Sequence, residues 1–158
     1  MVGGAPEVVE RVTELLSALA RQTRHVGPCG YGARMKLVTN LVLGLNRAAL
    51  AEGLVLAERL GLELPATLAV LQESAAYSRA MDTKGQKMID GDFTPQARLS
   101  QHLKDVRLML AAAQQAQQAL PLSEAHRRLL EWAESLGLGG LDNSAVFQAL
   151  ERLGPSPE

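Results

Sequence analysis

The chain has 158 residues, of which 47 % are apolar and only 3 % aromatic, with 16 basic and 17 acidic residues and a formal net charge of −1. That length can bury a full core, and the charge balance excludes a basic nucleic-acid footprint or a polybasic membrane surface. A single cysteine and three scattered histidines make neither a disulfide framework nor a metal-ligand pattern.

Ala and Leu carry the apolar content, which favours helix over strand. The opening "MVGGAPEVVERV" has neither the basic segment nor the apolar core of a signal peptide. Residues 5–20 predict an amphipathic helix. Pro6 suits its first turn, Glu7 and Glu10 favour its dipole, and Val8, Val9, Val12, Leu15, Leu16 and Leu19 form one apolar face. Residues 22–26, "QTRHV", suit a short edge strand or an extended connector.

From Arg34 to Leu62 there is no proline, and apolar residues fall on nearly every side. This predicts a long, central, mostly buried helix, roughly 40 Å in length. Asn46, Arg47, Glu52, Glu58 and Arg59 argue against a membrane span within 41–62. Gly61 ends this helix and Pro65 starts the next; a third fits 76–90 and is broken by "DGDFTP". A second strong helix is expected over 96–118. Another follows Pro121, with Ser123 a possible cap, and ends at Gly137. Asp142 or Asn143 caps a last helix, and residues 155–158 form a tail. The expected fold is all-α, with six or seven helices, at most one strand and no internal repeat.

The stretch "HVGPCGYGARMKLVTN", residues 25–40, is a glycine-rich turn leading into a helix that carries Lys36 and Asn40. Its glycines, Gly27, Gly30 and Gly32, do not match G-x-G-x-x-G, and Lys36 is not part of a Gly-Lys-Ser/Thr loop. A flexible turn into a helix explains the glycines equally well. Lys36 and Asn40 stand at i and i+4, hence on one helix face. A lysine in such apolar surroundings either snorkels to solvent or faces a cleft, where desolvation makes it a usable acid/base.

The same stretch resembles the β-hydroxyacid dehydrogenase family of 3-hydroxyisobutyrate dehydrogenase. That family shows H-x-G-x-x-G-x-G-x-x-x-K-x-x-N-N, matched here by His25, Gly27, Gly30, Gly32, Lys36 and Asn40, with Thr39 replacing the first asparagine. "AEGLVLAERLGL", "GDFTP", "HLKDVRLML" and "LPLSEAHRRLLEWAESLGLGGLDNSA" continue the resemblance in family order. The resemblance implies a multi-helix domain around one long helix, like the C-terminal domain of 6-phosphogluconate dehydrogenase-like proteins. It implies residues 1–29 as the end of a Rossmann domain and linker, 30–154 as the helical domain, and 155–158 as the tail.

By the same resemblance, Lys36 is the general acid/base, and Asn40 and Thr39 contact substrate. Lys104, Gly30, Gly32 and Phe93 reach the cofactor cleft. Alternatives stay open: Lys104 as a solvated helix residue, Phe93 as core, Asp142 as an N-cap. His25, His102 and His126 are read as hydrogen-bonded or exposed, Cys29 as incidental, and Trp132 as core or interface. The implied reaction is reversible hydride transfer between NAD or NADP and a small hydroxy acid, in a homodimer or larger oligomer. A cytoplasmic location is the default expectation for a sequence that shows neither a signal peptide nor a membrane span. No nucleic-acid or membrane partner is expected. The cofactor-binding fingerprint is absent, so the chain alone is expected to bind neither dinucleotide and to be inactive. The competing reading is a non-catalytic helical oligomerisation or binding module.

Overall fold

The computed structural model describes residues 1–154; the expected tail, 155–158, lies outside them. Eight α-helices account for most of the described chain. The chain divides into two compact units, Met1–Asn40 and Leu41–Glu158.

In the first unit, Val2 and His25 form a single parallel β-bridge, so the 22–26 segment is an extended connector. The helix expected over 5–20 is two helices, α1 (Pro6–Arg11) and α2 (Thr13–Leu19). They are separated at Val12, whose φ of −103° and ψ of 5° leave the helical region. Thr13 adds to the break: its hydroxyl donates to the Val9 carbonyl at 2.9 Å, a back-bond that bends helices. Neither helix buries a residue fully.

The long helix is α3 (Tyr31–Arg59). It is not mostly buried. Within it only Gly44, Arg47, Leu50, Ala51, Leu54 and Ala57 are buried. Their three- and four-residue spacing makes one stripe, while Val38, Val42 and Leu56 stay exposed. By length and composition α3 could also cross a bilayer, although its stripe is buried within the folded chain.

The second unit continues with α4 (Leu64–Glu73), led in by Pro65. The helix expected over 76–90 is a wide π-helical turn, Met81–Gly85, running into the short α5 (Gln86–Asp90). Leu68 packs directly on Gly85: a Cβ there would stand 2.5 Å from Leu68 Cδ1 and displace that side chain. The left-handed Gly91, φ 66°, ends α5. Two longer helices follow, α6 (Leu99–Gln115) and α7 (Pro121–Ser135). Ser123 does not cap α7. Pro121 already occupies its first turn, and Ser123 is a buried residue inside it. Two 3₁₀ turns, Leu138–Gly140 and Asn143–Ala145, lead into α8 (Val146–Glu151). The core of this unit gathers Leu54, Met88, Leu99, Leu103, Leu130 and Val146. Trp132, on α7, is exposed.

Candidate functional site

The glycine turn needs its glycines. Gly27 and Gly30 have φ of 120° and 88°, a region that side chains disfavour. His25 Nε2 sits 2.8 Å from the Gly4 carbonyl and 3.0 Å from the Gly27 carbonyl. One ring nitrogen thereby ties the start of the chain to the turn, and His25 is structural. Tyr31 opens α3, with the Arg34 guanidinium 5.1 Å from its ring centre.

Lys36 lies in the second turn of α3 and is exposed; Asn40, one turn on, is half-buried. The Thr39 hydroxyl donates to the Lys36 carbonyl at 3.0 Å. With its proton on that carbonyl, the Thr39 oxygen has its lone pairs free to accept. Above Gly30, no atom lies within 4 Å of where a Cβ would stand, whereas at Gly32 a Cβ would meet the Gly3 nitrogen at 3.3 Å. These five sequence-predicted residues, Gly30, Gly32, Lys36, Thr39 and Asn40, all belong to the first unit.

Lys104 and Phe93 belong to the second. Lys104 is exposed on α6. Phe93 is only 7 % exposed, so its ring serves the core. Its carbonyl accepts the Asp142 N–H at 2.9 Å, which lays the 93–99 segment along 141–143.

Asp142 is the centre of the buried polar network. It is 0 % exposed, and both carboxylate oxygens are fully used. Oδ1 accepts from Lys84 Nζ at 2.8 Å, Ser144 Oγ at 2.7 Å and Ser144 N–H at 3.1 Å. Oδ2 accepts from Lys84 Nζ at 3.0 Å and from the N–H groups of Gln96 and Ala97 at 2.9 and 3.2 Å. Burial alone would raise its pKa; the hydrogen bonds from Lys84, Ser144 and Gln96 outweigh it and hold the carboxyl well below the usual range.

A cavity of about 320 Å³ adjoins this network, lined among others by Leu43, Arg47, Thr83, Lys84 and Asn143. Arg47 is 4 % exposed, and its Nε and Nη2 have no hydrogen-bond partner. Asn143 Oδ1 is likewise buried and unpartnered. Burial lowers the Arg47 pKa to about 10, against a smaller opposing pull from Asp142. The side chain therefore remains charged at neutral pH.

His102 and His126 were expected to be hydrogen-bonded or exposed; both are buried, with unpartnered Nε2 atoms. Their rings lie 5.2 Å apart and press on Gly44, where a Cβ would stand 2.5 Å from His102 Nε2 and 3.0 Å from His126 Cε1. Burial, then the Arg47 charge, pushes His102 down to about 3 and His126 down to about 4, so both are neutral at pH 7.

Sequence reasoning did not single out this interior. One signal was present: Arg47 interrupts the stripe Leu43, Leu50, Leu54 at helical spacing. The groups that surround it come from segments far along the chain.

Residues 30–150 match the family described as NAD-binding of NADP-dependent 3-hydroxyisobutyrate dehydrogenase. The 2-(hydroxymethyl)glutarate dehydrogenase of Eubacterium barkeri is 35 % identical over 154 residues, covering 97 % of this chain and 51 % of that protein. The cytokine-like nuclear factor N-PAC of Aedes aegypti is 33 % identical over 147 residues, covering 93 % of this chain and 26 % of that protein. The solved Mycobacterium tuberculosis 3-hydroxyisobutyrate dehydrogenase with L-serine superposes with a TM-score of 0.87 at 28 % identity, covering 97 % of this chain and 54 % of that one. The chain thus spans about half the length of the dehydrogenases it matches. With an all-α fold and a family match across 30–150, this chain belongs to the 3-hydroxyisobutyrate dehydrogenase-like β-hydroxyacid dehydrogenase family.

Proposed function

We propose that this chain is the helical, substrate-binding and subunit-pairing half of an NAD(P)-dependent β-hydroxyacid dehydrogenase. In this reading residues 1–29 end a cofactor domain and linker, and 30–154 form the helical domain. The observation that carries it is the run Gly30, Gly32, Lys36, Thr39, Asn40 at the start of α3, within a chain matched to that family over 30–150. The substrate class is a small carboxylic acid with a hydroxyl group. Both 2-(hydroxymethyl)glutarate and L-serine, in the names of the relatives, have that chemistry.

The bound nicotinamide supplies or accepts the hydride. Lys36 Nζ gives a proton to the substrate oxygen during reduction and takes it back during oxidation. Asn40, one helical turn on, hydrogen-bonds the substrate, and Thr39 accepts from a substrate hydroxyl. Gly30, with open space above it, suits close backbone approach by the dinucleotide.

In the complete enzyme, Lys36→Ala should lower kcat by about 10² or more, the usual size of a general acid/base contribution. A loss confined to KM would leave Lys36 a binding residue and end the acid/base assignment. The exposed apolar residues Val38, Val42 and Leu56 of α3 support a homodimer or larger assembly. Light scattering at micromolar concentration should give at least twice 16.9 kDa; a monomer mass across a dilution series refutes the pairing. The second reading, a binding module without catalysis, draws on the nuclear factor relative, a quarter of whose length this chain matches. Turnover by the complete protein would dismiss it.

A further inference from the structure

We propose that the Arg47 cavity of the second unit is a binding site for a single small carboxylate, gripped by the Arg47 guanidinium. The inference stands apart from the dehydrogenase reading and uses none of its residues.

Charge is the first argument. Arg47 is buried and, among the described residues, pairs with no carboxylate. Asp142 is within electrostatic reach, but its oxygens are occupied by Lys84, Ser144 and two backbone N–H groups. Lys84 and Asp142 cancel each other, and the neighbouring histidines are neutral at pH 7. One positive charge is left in the interior without a counter-charge. Such a charge is costly unless an anion joins it.

Geometry is the second argument. The two unpartnered atoms, Nε and Nη2, form one edge of the guanidinium fork. Two parallel N–H donors on that edge match the two oxygens of a carboxylate. Arg47 lines a cavity of about 320 Å³, room for a molecule of a few heavy atoms. Its unpartnered Asn143 Oδ1 asks for a donor, which a ligand hydroxyl or a water supplies. A doubly charged phosphate would overshoot the single positive charge. The wider groove of about 820 Å³ at the end of α6 lacks this feature, because its Arg127 is already paired with Glu124 and Glu131.

The probe is sodium acetate, titrated into the 158-residue chain at neutral pH with sodium chloride as the control. The Arg47 Nε–H resonance should shift and saturate with acetate and stay in place with chloride. At ten times the dissociation constant the melting temperature should rise by roughly 3–6 °C. Arg47→Met should lose the acetate-dependent rise. Asn143→Asp, which keeps the side-chain shape and places a fixed carboxylate in the cavity, should lose the saturable shift; it carries the test if Arg47→Met does not fold. A wild-type resonance that never saturates, an equal response to chloride, or undiminished acetate binding by Asn143→Asp would each overturn the proposal.

Discussion

Asp142 and Arg47 are both buried charges in the same helical unit, yet their surroundings are opposite. Asp142 has six hydrogen-bond contacts, from Lys84, Ser144 and two backbone amides, and no lone pair left over. Arg47 keeps two unpartnered nitrogens beside a cavity and two neutral histidines. Burial penalises both. Only Asp142 is compensated from within the chain, which makes it a fastening of the 93–99 and 141–144 segments. Arg47 is open to something from outside. A buried charge is thus informative less by its presence than by whether its valences are filled.

Removing the filled partner should cost most. Asp142→Ala removes the carboxylate from the Lys84 amine, the Ser144 hydroxyl and three backbone N–H groups, and chemical denaturation should show a loss of about 3–5 kcal/mol. A loss under 1 kcal/mol would mean that water replaces the carboxylate freely, and the contrast with Arg47 would collapse.

Acidification separates the two regions by pH. His102 and His126 titrate at about 3 and about 4 in the folded chain against 6.5 when unfolded, so the unfolded chain binds protons first. The stability they contribute is complete above pH 6.5 and falls as pH drops toward 4. At pH 5 the loss is about 2 kcal/mol per histidine. The Asp142 carboxyl, held low, adds nothing in that window; its contribution fades only below the ordinary carboxylate range. Denaturant midpoints at pH 7 and pH 5 test this, and His102→Leu should halve the slope. A flat profile would show that the histidines are solvated.

Gly44→Ala probes the packing around the histidine pair with the smallest expected effect. The added methyl meets His102 and His126, an overpacking cost that the better helix propensity of alanine offsets in part. The net loss should be about 1–2 kcal/mol, read from the shift in melting temperature. A stabilised variant would mean that the rings move aside.

The helices were legible where local chemistry decides them. Pro65 and Pro121 start helices, and Gly61, Gly91 and Gly137 stand at helix ends with positive φ. Asp142 is a cap by residue type, and its side chain does accept the Ser144 N–H. The break at Val12 and the π turn at Met81–Gly85 were not legible, since neither has a proline to announce it. Lys36, Thr39 and Asn40 could be found because they lie close together in a recognisable spacing. The Arg47 interior could not. Asp142 meets Lys84 across 58 residues, and only tertiary packing assembles such a neighbourhood. The sequence shows the charge of Arg47, but its burial follows from tertiary packing alone.

The chain contains one cysteine and one tryptophan. Cys29 is exposed in the glycine turn of the first unit, and Trp132 lies on α7 of the second. Each unit therefore carries one unique spectroscopic handle. A thiol-coupled acceptor at Cys29 and the native indole as donor make an energy-transfer pair without any mutation. Its distance distribution measures the separation of the two labelled positions directly.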